Sequence, residues 1–252
     1  MEENVFDLVQ KDLTPFKHLT ALGLPNCSIV LREGRTRCRT RTRTVFIETL
    51  SSFQCLVKLD LSENSFAGCL GEVLDALHCP LVYLKLRRCD ILNADMQHLS
   101  RSRHAKSLQY LNVGRVCGLF PDDDIAVTSP CLVNCLRRFS QLRIVHLEQN
   151  LIKDSLCLDL CLTIEHHWPW LQAINLSGNL LSPSKCCEVV TSCARARRVE
   201  YVKLPHAHNM HTIYDESVAR ATFIKQLEDT AKANQKPQLK IHIESVSFSI
   251  FG

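Results

Sequence analysis

The sequence predicts an α/β solenoid: a short horseshoe with parallel strands on its concave face and helices on its convex face. Three observations carry that prediction. An eleven-position apolar template recurs along most of the 252 residues. Its copies start far enough apart to hold one helix after each strand. Apolar residues of helical period follow the template segments.

The template is Leu-x-x-Leu-x-Leu-x-x-Asn/Cys-x-Leu. Its first copy is Leu19, Leu22, Leu24, Cys27 and Ile29, and its second Leu56, Leu59, Leu61, Asn64 and Phe66. The third is Leu81, Leu84, Leu86, Cys89 and Ile91. The fourth keeps Leu108, Leu111 and Val113 but has Val116 where Asn or Cys is expected. Leu142, Val145, Leu147, Asn150 and Ile152 make the fifth; Leu171, Ile174, Leu176, Asn179 and Leu181 make the sixth. Val199, Val202 and Leu204 retain only the strand of a seventh, and Leu239, Ile241 and Ile243 form a terminal strand. Positions 1, 4 and 6 bury apolar side chains, and each buried Leu contributes roughly 1.5–3 kcal/mol only if a neighbouring coil covers it. The Asn or Cys at position 9 satisfies backbone groups of the turn that leaves the strand, where each group left unpaired costs about 1–3 kcal/mol. Starts are separated by 37, 25, 27, 34, 29, 28 and 40 residues. Lengths near 27–29 define the longer, α-helical leucine-rich repeat, here an arc of about seven strands.

The helices follow from the same spacing. Leu70, Val73, Leu74 and Leu77 predict a helix over 68–77. Leu156, Leu160 and Ile164 predict one over 154–166, with Asp154 as its N-cap. Ser182 before Pro183 predicts a start at 183 and a helix to 194. Val218, Phe223, Leu227 and Ala231 predict the longest helix, 215–233. Asn4 to Gln10 reads as a short helix with no polar cap before the first strand, so residue 1 is expected to lie within a longer or a shortened solenoid.

The whole chain, 1–252, reads as one domain, with a basic insertion at 32–43 and a C-terminal cap at 199–252. The insertion carries six arginines against Glu33, a local +5 within a total of +4, which leaves the remainder at −1. That near-neutral remainder argues against nucleic acid as a partner. Arg alternating with Thr or Cys predicts an exposed loop, with nuclear import, an anionic surface contact or RNA as its functional readings. With aromatics at 6% and only 8 glycines, a β-sandwich, a propeller and a Gly-rich nucleotide fold are disfavoured. The sequence lacks a run of 18 apolar residues, and Met-Glu-Glu-Asn does not open a signal peptide. The expected setting is therefore cytoplasmic, with nuclear residence open, and the 14 cysteines are expected to be free, mostly buried thiols.

The segment from Cys79 to Val113 places Pro80-Leu81, Leu84 and Leu86, then Cys89, then Asp95 to Ser100 with Ser102, then Leu108 and Leu111. In this order it resembles the PRAME and leucine-rich repeat-containing protein 14 family. Val199 to Ile243, with Pro205 and Tyr214-Asp215 before a long helix and a last strand, resembles the same family. The resemblance implies a non-enzymatic interaction scaffold, akin to the substrate-recognition part of a cullin-2 ubiquitin ligase adaptor. Its alternative implication is a cytosolic regulator of NF-κB or Toll-like receptor signalling that binds an IκB kinase subunit. Ligase members carry an elongin-binding box. The pairs Thr49-Leu50, Pro80-Leu81, Ser107-Leu108 and Ser155-Leu156 place Gln54, Lys85, Asn112 and Leu160 where that box needs a small residue. Elongin and cullin-2 would therefore have to act through sequence outside this chain.

The candidate site is geometric. Template positions 3, 5 and 7 point out of the concave face. They offer Lys58, Asp60, Tyr83, Lys85, Arg87, Tyr110, Asn112, His146, Glu148, Tyr201 and Lys203 as protein-binding residues. Tyr83 and Tyr110, adjacent and set among Lys58, Lys85 and Arg87, resemble a hot spot. His206, His208 and His211 read as a solvated loop, and Cys157 with Cys161, or Cys186, Cys187 and Cys193, as core rather than zinc ligands. No nucleophile elbow, phosphate loop or cofactor motif is present, so neither catalysis nor a cofactor is expected.

Overall fold

In the computed structural model, residues 16–31, 37–117, 127–205 and 216–243 are described, those at 37–42 and 216–219 by backbone alone. Eight strands form one parallel sheet in strict sequence order: β1 Ala21–Gly23, β2 Lys58–Asp60, β3 Tyr83–Lys85, β4 Tyr110–Asn112, β5 Ile144–His146, β6 Ala173–Asn175, β7 Tyr201–Leu204 and β8 Lys240–Ile243. Every strand centres on template position 4. Leu22, Leu59, Leu84, Leu111, Val145, Ile174, Val202 and Ile241 follow one another in register. The expected arc of about seven strands thus becomes eight, because Lys240 to Ile243 pairs along the whole of β7.

Among the described residues seven α-helices return the chain on the other side: α1 Arg37–Ser51, α2 Leu70–Asp75, α3 Asn93–Arg101, α4 Ser129–Leu136, α5 Cys157–Leu162, α6 Pro183–Arg195 and α7 Glu216–Ala233. Each packs against the next. Strands stack at roughly 4.8 Å while packed helices need about 8–10 Å, so the stack must curve with its sheet inside. The apolar core runs continuously from Ile29 to Ile243 between the two layers.

Three helices differ from expectation. The basic run is helical from Arg37 onward, so its second half belongs to α1 and is not a loop. Phe46 and Leu50 of α1 are fully buried, and Arg43 pairs with Glu72 of α2. Residues 68–77 yield only the six-residue α2: Gly68 takes a left-handed φ of 77° before its start, and beyond Asp75 the chain closes with a tighter turn in which Leu77 N donates to Leu74 O. The 154–166 helix divides into a 3-10 turn at Asp154–Leu156, α5, and a π-helical turn at Thr163–His167. Asp154 caps the following coil, accepting from Ser182 N at 2.7 Å. Ser182 and Pro183 start α6 as expected. Phe223, Leu227 and Ala231 of α7 are buried, whereas Val218 lies among side chains that are not described. The expected helix at Asn4–Gln10 lies outside the described residues.

Coils are tied by side chains that satisfy their neighbour's backbone. Asn64 Oδ1 accepts from Cys27 N and Ile29 N, and its Nδ2 donates to Leu24 O and Leu61 O. Asn150 does the same for Val116 N, Cys117 N and Val113 O. Asn179 accepts from Asn150 N and Ile152 N and donates to Leu147 O and Leu176 O. The Asp95 carboxylate of α3 accepts from Gly68 N at 2.8 Å and Leu70 N at 3.1 Å, closing the start of α2 from the next coil. Template position 8 is left-handed in six successive coils: Asn26, Glu63, Arg88, Arg115, Gln149 and Gly178 all have φ between 52° and 67°. Non-glycine residues accept this conformation at a cost of roughly 1–2 kcal/mol each, which the shared turn bonds offset.

Candidate functional site

Because the strands are in register, position 3 of β3 lies directly beside position 3 of β4. Tyr83 and Tyr110 stack there with ring centroids 4.1 Å apart and planes inclined by 16°. His146, at position 5 of β5, extends the row: its ring lies 5.3 Å from that of Tyr110, tilted by 41°. Such a stack is worth about 0.5–1.5 kcal/mol beyond the area it covers. It also holds three rings in one orientation on a rigid sheet. Lys85 lies 5.5 Å from the Tyr83 ring centroid and 3.3 Å from the Asp60 carboxylate.

The charges around the rings are interlocked. Arg87 reaches Glu63 at 3.4 Å and Glu148 at 3.6 Å, and Arg88 also reaches Glu63, at 3.6 Å. Glu148 faces His146 at 3.6 Å and accepts from Asn175 Nδ2 at 3.3 Å. Gly114 makes room for it: a Cβ there would stand 2.5 Å from the Glu148 carboxyl carbon. Burial works to raise the Glu148 carboxyl, but the His146 hydrogen bond and the Arg87 charge outweigh it and hold it below the usual carboxylate range. Lys85 is raised above the usual lysine range, first by its hydrogen bond with Tyr83 and then by Asp60, against the opposing effect of burial. Burial, with the neighbouring Tyr83, pushes the Tyr110 hydroxyl up to about 12. Tyr110 therefore presents a neutral hydroxyl at neutral pH, and the stacked pair is flanked by ion pairs of opposite sign.

This differs from two tyrosines in a bare basic field. Lys85 and Arg87 have carboxylate partners, and the region is an amphipathic aromatic patch in a balanced polar frame. Of the expected residues, the structure gathers Asp60, Tyr83, Lys85, Arg87, Tyr110, His146 and Glu148 into one contiguous cluster. Lys58 is exposed at its edge. Asn112 is buried, and its Oδ1 accepts from Gly114 N at 2.9 Å, so it closes a turn and offers little to a partner. Asp60 and Asn175 make equivalent bonds to the amides of Ser62 and Ser177. Tyr201 and Lys203 stand on β7, separated from β5 by the small Ala173 of β6, and they join no ring or charge in the cluster. Sequence reasoning missed Glu63 and Arg88. They occupy template position 8, and only its left-handed backbone turns them toward Arg87 and one another.

Among the described residues Cys89, Cys157, Cys161, Cys186 and Cys193 carry free thiols, and no group of three or more His, Cys, Asp or Glu is arranged to hold a metal ion. Cys157 and Cys161 approach to 3.8 Å within the core, and Cys186 and Cys193 are fully buried. His206, His208 and His211 lie outside the described residues. No described helix is long and apolar enough to cross a membrane.

No protein-family model matches the chain. Leucine-rich repeat-containing protein 14 of Xenopus laevis is 32% identical over 108 residues, covering 40% of this chain and 20% of that protein. Its Homo sapiens counterpart is 34% identical over 68 residues, covering 27% of this chain and 14% of that protein. The matched stretches thus span a fifth or less of these relatives' length. The leucine-rich repeat-containing protein LegL7 from Legionella pneumophila superposes with a TM-score of 0.55 at 14% identity, over 96% of this chain and 87% of that one. That likeness concerns the fold. The chain is a leucine-rich-repeat solenoid, similar over part of its length to leucine-rich repeat-containing protein 14.

Proposed function

We propose that the chain is a protein-recognition module that grips a partner polypeptide on the concave face, at the Tyr83–Tyr110–His146 row. The observation that carries this reading is the stacked tyrosine pair, partly exposed and fixed on adjacent strands. Rigid aromatic rings with a polar end supply large contact area at low entropic cost, and they anchor interfaces when a polar frame excludes water around them. Arg87, Glu148 and Asp60 form that frame.

The finer reading, which the sequence resemblance implies, makes this surface the substrate-recognition part of a cullin-2 ligase adaptor of the PRAME kind. The second reading is a signalling regulator that binds an IκB kinase subunit without a ligase. It is favoured by the poor fit of every Ser/Thr/Pro-Leu pair in this chain to an elongin-binding box. Affinity purification of the tagged chain, probed for elongin, cullin-2 and the kinase subunits, separates the two. The Tyr83→Ala/Tyr110→Ala variant, checked for an unchanged circular dichroism spectrum, is expected to lose the recognised partner by about 2 kcal/mol or more. A variant that retains every partner at wild-type affinity would refute the concave-face reading.

A further inference from the structure

The parallel, in-register sheet gives the molecule two rims, one where chain enters the strands and one where it leaves them. Charge is sorted between them in a way that the near-neutral total conceals. On the entry rim of β5 to β7 stand Arg138, Arg143, Arg197 and Arg198, and Lys240 opens β8 beside Tyr201; all five are exposed, and none is in an ion pair among the described residues. The exit rim mixes signs: Arg88 is paired with Glu63, and the exposed Arg115 and Lys153 share it with the exposed Asp90 and Asp154.

The entry-rim turns are hydrogen-bonded edge to edge. Arg143 accepts from Gln172 N at 2.7 Å, Gln172 from Glu200 N at 2.8 Å, and Glu200 from Lys240 N at 2.9 Å. Arg143 and Lys240 are therefore three strand steps apart, roughly 14 Å. Between them the Arg198 guanidinium lies over the ring of Trp170, 4.2 Å from its centroid, and Trp170 itself is 38% exposed. A cavity of about 560 Å³ opens beside this pair, with Arg197, Arg198, Lys240, Gln172 and Tyr201 on its walls. Lys236 is turned inward instead, to the carbonyls of Cys193 and Ala196.

We propose that this entry rim is a docking surface for an acidic polypeptide segment, separate from the tyrosine row. Arginine forks accept carboxylates in bidentate geometry, and stacking on an indole pre-orients Arg198 for it. The row is interrupted: Glu200 stands between Arg198 and Lys240, and Glu165 pairs with Arg195 at 3.7 Å. A continuous polyphosphate would meet carboxylates in mid-track, whereas a peptide places its acidic side chains at intervals and passes them. The aromatic face that a nucleobase would need on Trp170 is already covered on one side by Arg198.

The test is fluorescence anisotropy of a labelled polyglutamate peptide with the full chain at low and high salt. Wild type is expected to bind, and Arg197→Glu/Arg198→Glu to weaken binding by about tenfold or more. Arg115→Glu/Lys153→Glu on the exit rim changes the net charge equally and is expected to stay within about twofold, as is Tyr83→Ala/Tyr110→Ala. Arg143→Gln, a mild change at an exposed site, is expected to weaken binding by about threefold and guards against misfolding of the double variant. Equal weakening by both charge-reversal pairs would overturn the proposal, as would no binding by wild type. So would tighter capture of polyuridylate or phosphatidylserine vesicles through the same arginines.

Discussion

The turns that leave β2, β5 and β6 and those that leave β3 and β4 have the same backbone course, yet they are closed by different chemistry. Asn64, Asn150 and Asn179 each accept from two amides of the preceding coil and donate to its carbonyls. Cys89 donates one thiol bond, to Leu61 O at 3.1 Å, and its thiol is pushed up to about 12 by burial, so it stays protonated. Val116 offers nothing, and in the coil before it Cys89 N turns back to Leu86 O in its own turn. The comparison teaches that the template's ninth position is a link between coils rather than a local turn former. Where the link is weak, other residues bridge the same coils. His104 is the clearest: fully buried, it accepts from Leu81 N through Nδ1 at 2.9 Å and reaches Leu74 O with Nε2 at 3.0 Å. That arrangement requires the neutral tautomer protonated on Nε2.

The comparison can be broken most severely at Asn179. Asn179→Ala leaves two buried amides and two carbonyls without partners and is expected to cost about 3–4 kcal/mol in urea unfolding. A loss below about 1 kcal/mol would show that the ladder is ornamental. The pH dependence at His104 comes next. Burial lowers its pKa below 6.5, with the Leu74 carbonyl opposing. Between the folded value and 6.5 the unfolded chain binds more protons, so stability falls as pH drops through that window. His104→Gln is expected to flatten the slope of Tm between pH 7 and pH 5, at the cost of some stability at pH 7. Cys89→Ala, which loses one weak bond and a small volume, is expected to cost only about 1 kcal/mol, measured by the same unfolding. The smallest effect is the most informative: Val116→Asn installs the missing link and is expected to change stability by less than about 1 kcal/mol, because Cys89 and its neighbours have already settled on another pattern. A gain of several kcal/mol would show that the fourth coil is held by the absent bond alone.

Much of this architecture was legible from leucines. Burial at positions 1, 4 and 6 has one geometric solution when repeated, so strand order, register and direction followed from spacing alone. The helices were less legible, since a convex helix is set by packing on its neighbours. Asp154 looked like a cap for its own helix, but its carboxylate serves the next coil. The basic run looked like a loop because its apolar partners, Phe46 and Leu50, come only after the last arginine. At the candidate site the row of Tyr83, Tyr110 and His146 could be read from positions 3 and 5. The pairing of Arg87 with both Glu63 and Glu148 could not, because it depends on a left-handed residue and on a glycine two coils apart in space.

What the amino-acid sequence by itself determined is the stack: a period of apolar residues that no single coil can bury alone, and therefore an ordered parallel sheet with one face left open. What only the tertiary structure decided is how charge is distributed over that stack. Ion pairs join residues that register places side by side but that lie 24 to 61 positions apart in the chain. The frame around the tyrosine row is thereby neutralised and the entry rim is not, a distinction that a sum over the sequence cannot contain.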